Sequence, residues 1–166
     1  KTFAYEVWEQ LGSRAPDEVI IPTGNGTLLI GAHIGFSELL AAGLTERMPR
    51  LIAVQAENCA PLVEMWERDL SELPNTTTNP TQAEGIAIAA PARANQIVNI
   101  VRDSKGEIIS VSEQEISAAH REMAQSGWFI EPTSASAIAA ALKRRTDGKT
   151  VVVPLTGHGL KAAGKV

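Results

Sequence analysis

The sequence lacks the features that mark several large classes of protein. Its single cysteine, Cys59, excludes an intrachain disulfide and a zinc site built on cysteines. No apolar run approaches the length of a bilayer-spanning helix, and the first residues do not resemble a signal peptide. The formal net charge of -4 gives no electrostatic reason to expect nucleic acid or an anionic membrane as a partner. We therefore expect a cytoplasmic protein that binds neither, and we find no metal-ligand motif.

The composition is that of a folded globular protein. Hydrophobic residues make up 44% of the 166 positions and charged residues 20%. A chain of this length fits one domain and can bury a core, so we expect residues 1–166 to form a single domain. Because the sequence begins at Lys1, without Met and inside a helical pattern, we also expect it to be a piece of a longer chain.

Four short apolar runs alternate with helical patterns along the chain. The predicted strands are 17–21, 51–55, 107–111 and 150–154, and the predicted helices are 1–11, 28–44, 60–70, 91–102, 112–125 and a small-residue helix that ends at about Arg145. Ser112 and Glu115 form a capping box at the start of the fifth helix. Continuous apolar strands that alternate with helices predict an α/β fold: an open, mostly parallel sheet of about four strands with helices on both faces.

A glycine-containing loop, residues 22–28, joins the first predicted strand to the second helix. The first N–H groups of a helix have no intrahelical acceptor, and glycines let the backbone approach an anion closely. Thr27 adds a hydroxyl donor. The loop matches neither the Walker lysine loop nor the dinucleotide fingerprint, which disfavours a nicotinamide enzyme. Two interpretations stay open from these residues alone: a phosphate site or a plain tight turn.

A second small-residue loop, residues 156–159, follows the fourth predicted strand. In a parallel sheet the loops after the strands lie at one edge, where open α/β folds bind ligands. We therefore expect this loop and residues 24–28 to face the same crevice.

Six short motifs occur in the order found in threonine synthases. They are KTFAYE (1–6), PTGNGTL (22–28), VQAE (54–57), AEGI (83–86), EPTSA (131–135) and PLTGHGLK (154–161). The whole chain resembles the C-terminal half of that family, within the β-family (fold type II) of pyridoxal-phosphate enzymes. The resemblance implies the large-domain part of that fold, which is tryptophan synthase β-like.

The resemblance also assigns cofactor contacts. It implies that Gly24, Asn25, Gly26, Thr27 and Leu28 hold the phosphate of pyridoxal phosphate, and that the Thr156 hydroxyl hydrogen-bonds the pyridine nitrogen. A neutral hydroxyl at that nitrogen is expected to leave it less fully protonated than a carboxylate would. Thr27 and Leu28 stand where threonine synthases usually have a glycine and an asparagine, and the leucine is more like the dehydratases.

Other polar residues are weaker candidates. Glu84, Glu131 and His158 are candidate site-lining residues, and each has a simpler interpretation as a turn glutamate, a charge at a helix start or an exposed histidine. Lys161 is expected to be a solvent-facing lysine. In the family the Schiff-base lysine lies in the N-terminal half, so we expect no catalytic lysine in this chain.

The resemblance predicts a threonine-synthase-like carbon–oxygen lyase that converts O-phosphohomoserine and water to threonine and phosphate. The expected partners are this small phosphorylated amino acid, the missing N-terminal half and a second copy in a homodimer. The alternatives are another β-family reaction, such as threonine or serine dehydration or sulfur-amino-acid synthesis, and a noncatalytic phosphate- or cofactor-binding fragment.

Overall fold

A four-stranded parallel sheet forms the centre of the chain. A computed structural model describes residues 1–144 and 146–162. The strands are β1 (Glu18–Pro22), β2 (Arg50–Ala56), β3 (Glu107–Val111) and β4 (Val151–Val152), in the order β3-β2-β1-β4. Every pair is parallel, with Ile20 opposite Ile52 and Ala53 opposite Ile108. The predicted α/β class and parallel sheet are confirmed.

Within the described residues, six α-helices and two short 3-10 turns connect and cover the strands. The helices are α1 (Thr2–Gln10), α2 (Thr27–Ala41), α3 (Pro61–Glu67), α4 (Ala94–Asp103), α5 (Glu113–Gln125) and α6 (Pro132–Lys143), and the turns are Glu84–Ile86 and Gly159–Ala162. The capping box at Ser112 is present. The predicted end of the last helix, Arg145, lies outside the described residues. None of the helices in the described ranges is long and apolar enough to cross a membrane.

Several element ends differ from the prediction: α3 ends at Glu67 rather than at about Leu70, α4 begins at Ala94 rather than at Pro91, and α2 and β4 stop early for local reasons. Helix α2 ends before Leu44, because Gly43 adopts a φ of +70° and turns the chain out of the helix. Strand β4 pairs only through Val151 and Val152, whereas the sequence predicted residues 150–154. Pro154 has no N–H to give to a ladder, which limits the strand at that end.

Alternating side chains of the strands build a core on each face of the sheet. Val19 and Ile21 of β1 point to the face covered by α1, α2 and α4. Ile20 points to the opposite face, which α5 and α6 cover. Both faces are therefore buried, which explains why the strands are continuously apolar.

The strand order places a topological switch point between β1 and β4. The chain runs from β1 to β2 and β3 toward one edge, and then returns to add β4 on the other side of β1. The direction of succession therefore reverses between β1 and β4, and ligands of open α/β sheets bind outside the carboxyl ends of the strands at such a point. The loops after β1 and β4 are those that the sequence singled out.

Candidate functional site

The loop after β1 presents unpaired backbone donors. Gly26 is the N-cap of α2, in the left-handed conformation with a φ of +73°, and no side chain caps the helix. The first helical bond of this loop runs from the Ile30 N–H to the Gly26 carbonyl. Within residues 1–144 and 146–162, no protein group accepts from the N–H of Asn25, Gly26, Thr27 or Leu28. Such N–H groups at the positive end of a 15-residue helix suit an anion.

The two glycines of this loop are required by close packing. A Cβ on Gly24 would lie 2.9 Å from Ile88 Cγ1 and 3.2 Å from Ile86 Cα. A Cβ on Gly26 would collide with the Ile97 side chain, and its positive φ also disfavours other residues. The segment that contains Ile86 and Ile88 thus lies directly against the loop.

A buried amide supports the loop from below. Gln55, on β2, is fully buried. Its Oε1 accepts from the Leu62 N–H (2.8 Å) and the Val63 N–H (3.3 Å) at the start of α3, and its Nε2 donates to the Thr23 carbonyl (3.4 Å). Sequence reasoning used Gln55 only as part of a strand and a motif. The available signal was a lone amide side chain in an otherwise apolar run.

A cluster of hydroxyl and carboxylate groups lies at the loop after β4. Thr156 Oγ1 donates to Glu131 Oε1 at 2.9 Å and lies 3.1 Å from Ser134 Oγ. Ser134 is fully buried and accepts from the Gly157 N–H at 3.3 Å. The Glu131 N–H donates to the Gly157 carbonyl at 2.9 Å. The start of α6 and the loop after β4 are therefore joined through both backbone and side chains.

The turn that carries Glu84 joins the same region through its neighbour. The Gly85 N–H donates to Thr133 Oγ1 at 3.1 Å, and a Cβ on Gly85 would lie 2.7 Å from that oxygen. The Gly85 carbonyl lies 3.3 Å from the position of a Cβ on Gly24. The loop after β1, the 3-10 turn and the start of α6 therefore meet, and Glu84 itself is exposed beside them.

His158 has contacts of its own within the loop after β4. Its Nδ1 accepts from the Leu160 N–H at 3.2 Å, and its ring meets the Phe129 ring edge-on at 5.4 Å. Together with Trp128 and Leu155, these two rings line an open cavity of about 400 Å³. The structure therefore places His158 at the rim of the loop cluster and gives it a local packing role.

The remaining candidates lie outside this cluster or at its border. Lys161 is exposed, and its Nζ lies 3.8 Å from Glu131 Oε2. Cys59 is buried, and burial raises the pKa of its thiol, so a reactive thiolate is disfavoured. Among the described residues, no three His, Cys, Asp or Glu side chains are grouped so that they would hold a metal ion.

The arrangement fits a phosphorylated pyridine cofactor. Unpaired N–H groups and two glycines with no room for a Cβ form a cradle for a phosphate ester. The Thr156 hydroxyl stands at the loop of the neighbouring strand and could serve as the hydrogen-bond partner of a ring nitrogen. Gly24, Asn25, Gly26, Thr27, Leu28 and Thr156 are therefore brought to one edge of the sheet.

The sequence comparisons agree with this geometry. The sequence model of the family described as "pyridoxal-phosphate dependent enzyme" matches residues 1–157. A threonine synthase of Mycobacterium tuberculosis is 37% identical over 168 residues, which cover 97% of this chain and 44% of that protein. The threonine synthase of Methanocaldococcus jannaschii is 32% identical over 167 residues, covering 97% and 41%. The chain thus spans less than half the length of these relatives.

Solved structures give the same architecture. An L-serine ammonia-lyase from the fungus Rhizomucor miehei matches with a TM-score of 0.74 and 21% identity, over 99% of this chain and 54% of that one. At this identity the likeness shows the fold alone.

Proposed function

This chain belongs to the pyridoxal-phosphate-dependent enzymes, and we propose that it is the cofactor-phosphate-holding part of a threonine-synthase-like carbon–oxygen lyase. The family membership confirms the resemblance seen in the six motifs. The observation that supports the assignment to this chain most directly is the loop of residues 24–28, whose N–H groups lack protein acceptors. Bound pyridoxal phosphate would supply an electron sink for carbanions of an amino-acid substrate.

The residues of this chain would hold the cofactor at both ends. The N–H groups of Asn25, Gly26, Thr27 and Leu28 would bind the phosphate, helped by the dipole of α2. The Thr156 hydroxyl would meet the ring nitrogen. The tight contact of Gly24 with the segment 85–88 would exclude water from one side of the phosphate loop.

The proposed reaction of the complete protein is conversion of O-phosphohomoserine and water to threonine and phosphate. The relatives named threonine synthase at 32% and 37% identity support this substrate class. Dehydration of threonine or serine is the alternative, because Leu28 stands where threonine synthases have a polar residue and packs partly against the core.

The complete protein is proposed to include a further segment that bears the anchoring lysine. Lys161 is a poor substitute, since it lies against the Glu131 carboxylate and is exposed. Four exposed apolar side chains near the site would suit contact with the rest of the enzyme or a second copy: Trp128, Phe129, Leu155 and Leu160.

The test is a titration of this chain with pyridoxal phosphate, followed by borohydride reduction and intact mass measurement. We expect saturable binding without a stoichiometric covalent adduct. Gly24→Asp should abolish the binding, because the new side chain lacks space and adds a negative charge beside the phosphate.

Gly43→Asp is the matched control. It adds the same charge at the far end of α2, where a Cβ meets nothing within 4 Å, and aspartate tolerates a positive φ better than most residues. Equal loss of binding in both variants would contradict the assigned cradle. A stoichiometric adduct on Lys161 would contradict the proposal that the lysine lies elsewhere.

A further inference from the structure

The 3-10 turn Glu84–Ile86 packs directly on the loop after β1. A Cβ on Gly24 would lie 3.2 Å from Ile86 Cα and 3.3 Å from the Gly85 carbonyl oxygen. Both are backbone atoms, which cannot move aside as the end of a flexible side chain can. Because packed groups transmit a shift to their neighbours, the position of the turn limits the position of Gly24 and of the N–H groups that follow it.

The other sides of this loop are held by regular elements. Gly26 lies against the Ile97 side chain of α4, and the Gln55 amide of β2 donates to the Thr23 carbonyl at 3.4 Å. The turn is a further support of the loop, and it belongs to neither a strand nor an α-helix. A 3-10 turn of three residues has few hydrogen bonds of its own. Its place therefore depends on contacts with its neighbours.

Thr133, in the first turn of α6, supplies such a contact. The Ile86 N–H donates within the turn, to the Ala83 carbonyl at 3.0 Å. The Gly85 N–H instead donates out of the turn, to Thr133 Oγ1 at 3.1 Å and across 48 positions of sequence. A backbone N–H only donates, so Thr133 is the acceptor in this bond whatever the direction of its own hydroxyl proton.

The Thr133 side chain is itself firmly placed. It is 8% exposed and follows Pro132 at the start of α6. A Cβ on Gly85 would lie 2.7 Å from Thr133 Oγ1 and 3.2 Å from its Cγ2, so both branches of the side chain contact the turn. Ser136 Oγ donates to the Thr133 carbonyl at 2.7 Å. The acceptor oxygen is therefore presented to the turn from a packed helix.

We propose that Thr133 is a positioning residue for the phosphate end of the cofactor site. Its oxygen holds the turn 84–86 against Gly24, and the turn keeps the N–H groups of residues 25–28 in the arrangement that binds a phosphate ester. The inference rests on the proposed function, because it requires the phosphate to lie in that loop. By thermodynamic reciprocity, a bound phosphate ester in turn favours the bond between Gly85 and Thr133.

The first measurement is the affinity for pyridoxine 5′-phosphate, a probe that carries the phosphate ester and has no aldehyde for lysines to capture. Thr133→Val removes the oxygen and keeps the branched shape of the side chain. We expect its affinity for the probe to fall about fivefold, because the Gly85 N–H loses its acceptor. Thr133→Ser keeps the oxygen and should restore the wild-type affinity, which a role of Thr133 in packing alone would not predict.

The second measurement is the hydrogen exchange of the Gly85 amide, followed by NMR. In the wild-type chain the probe should slow this exchange, since the bound ester and the bond to Thr133 favour the same position of the turn. In Thr133→Val the exchange should be faster without the probe, and the probe should slow it less. If the probe left the exchange of Gly85 unchanged in the wild-type chain, the turn would not be coupled to the phosphate and the inference would be overturned.

Ser104→Ala is the matched control. Ser104 is 4% exposed, and its hydroxyl likewise accepts from a backbone N–H, that of Leu51, at 3.2 Å. It lies beside the start of β2, at the end of the sheet away from the loop, so the variant should keep the wild-type affinity for the probe. Equal affinities of the wild-type and Thr133→Val chains would overturn the inference, and so would an equal loss in Ser104→Ala. Both outcomes leave the proposed function standing.

Gly85→Ala decides the matter if Thr133→Val does not fold. Its new Cβ would lie 2.7 Å from Thr133 Oγ1, so the turn must move away while the oxygen stays. The same loss of affinity is expected, and an unchanged affinity would overturn the inference. If the wild-type chain binds neither this probe nor pyridoxal phosphate, the proposed function and the inference both fail.

Discussion

At the scale of single residues, His33 is a partly buried base on α2 that interacts with the charge of Asp103 on α4. Burial lowers the pKa of its imidazole from the ordinary value of 6.5, and the charge of Asp103 on α4 opposes this only in part. The folded chain therefore binds a proton at His33 less readily than the unfolded chain does. Stability linked to His33 is present above pH 6.5 and is lost as the pH falls toward the lower folded pKa.

The corresponding prediction concerns His33→Gln. In the wild-type chain, the free energy of unfolding in urea should fall between about pH 7.5 and about pH 5.5, since only the unfolded imidazole protonates readily there. In His33→Gln this fall should be smaller. Carboxylates contribute little in this window, because their ordinary values lie near 4.5. An unchanged slope in the variant would show that His33 is not the group responsible.

Residue identity suggested candidate site residues only where those residues are close together in sequence. Gly24 and Gly26 lie in one seven-residue motif, and their placement at a helix start follows from the strand and helix patterns. The coupling of Glu131 to Thr156 joins residues 25 positions apart, and nothing in either motif specifies which side chain accepts from which. Such pairings depend on how two loops pack, which periodicity does not report.

At the scale of elements, Gln55 connects β2, the start of α3 and the loop after β1. It replaces a capping side chain for α3, whose own N-cap, Ala60, has none. Its Nε2 also donates to the Thr23 carbonyl at the entry to the loop after β1. The geometry of the loop after β1 is therefore linked to the stability of α3, the helix that follows the neighbouring strand β2.

We predict that Gln55→Leu destabilises the chain by about 1–3 kcal/mol, because the buried N–H groups of Leu62 and Val63 lose their acceptor. The affinity for pyridoxal phosphate should fall as well, since Thr23 loses its contact. Urea unfolding and the cofactor titration measure the two effects. Gln114→Leu, an exposed site on α5, is the control. A loss no larger than that of the control would contradict the role given to Gln55.

Element existence was easier to predict than element length. All four strands and all six helices lie where the hydrophobic pattern placed them, because both faces of the sheet must be covered by apolar side chains. The ends of α2, α3 and β4 and the start of α4 were wrong by a few residues. The φ of Gly43 and the pairing of an edge strand depend on geometry that the pattern does not contain.

At the scale of the whole molecule, the two edges of the sheet carry different groups of side chains. The carboxyl edge carries the candidate site. The amino edge carries a network in which Glu18, only 1% exposed, accepts from Arg50 Nη1 (2.9 Å) and Lys149 Nζ (2.8 Å), with Arg144 at 3.4 Å. Glu107 accepts from Arg50 and Arg144 as well. This network joins the first residues of β1, β2 and β3 to Arg144 at the end of α6 and to Lys149, just before β4.

The charges of the network set the titration of its carboxyls. Burial alone would raise the pKa of Glu18, but the hydrogen bond from Lys149 and the charges of Arg144 and Arg50 outweigh it and hold the pKa below its ordinary value of 4.5. The hydrogen bond from Arg144 is the main cause that lowers the pKa of Glu107. Stability from both carboxylates is therefore present above pH 4.5 and is lost as the pH falls through the lower folded values.

Glu18→Gln should accordingly destabilise the chain by about 3 kcal/mol or more at neutral pH, because it leaves Arg144 and Lys149 beside each other with one carboxylate fewer to compensate them. The loss of stability on acidification below about pH 4.5 should also become shallower in this variant. Glu9→Gln, at an exposed position of α1, is the control for the loss of one negative charge. Urea unfolding at neutral and acidic pH measures both effects. Because the network lies at the edge opposite the loop proposed to bind phosphate, the variant should keep its affinity for pyridoxal phosphate below the unfolding transition. Loss of that affinity in folded Glu18→Gln would show that the two edges are coupled rather than independent.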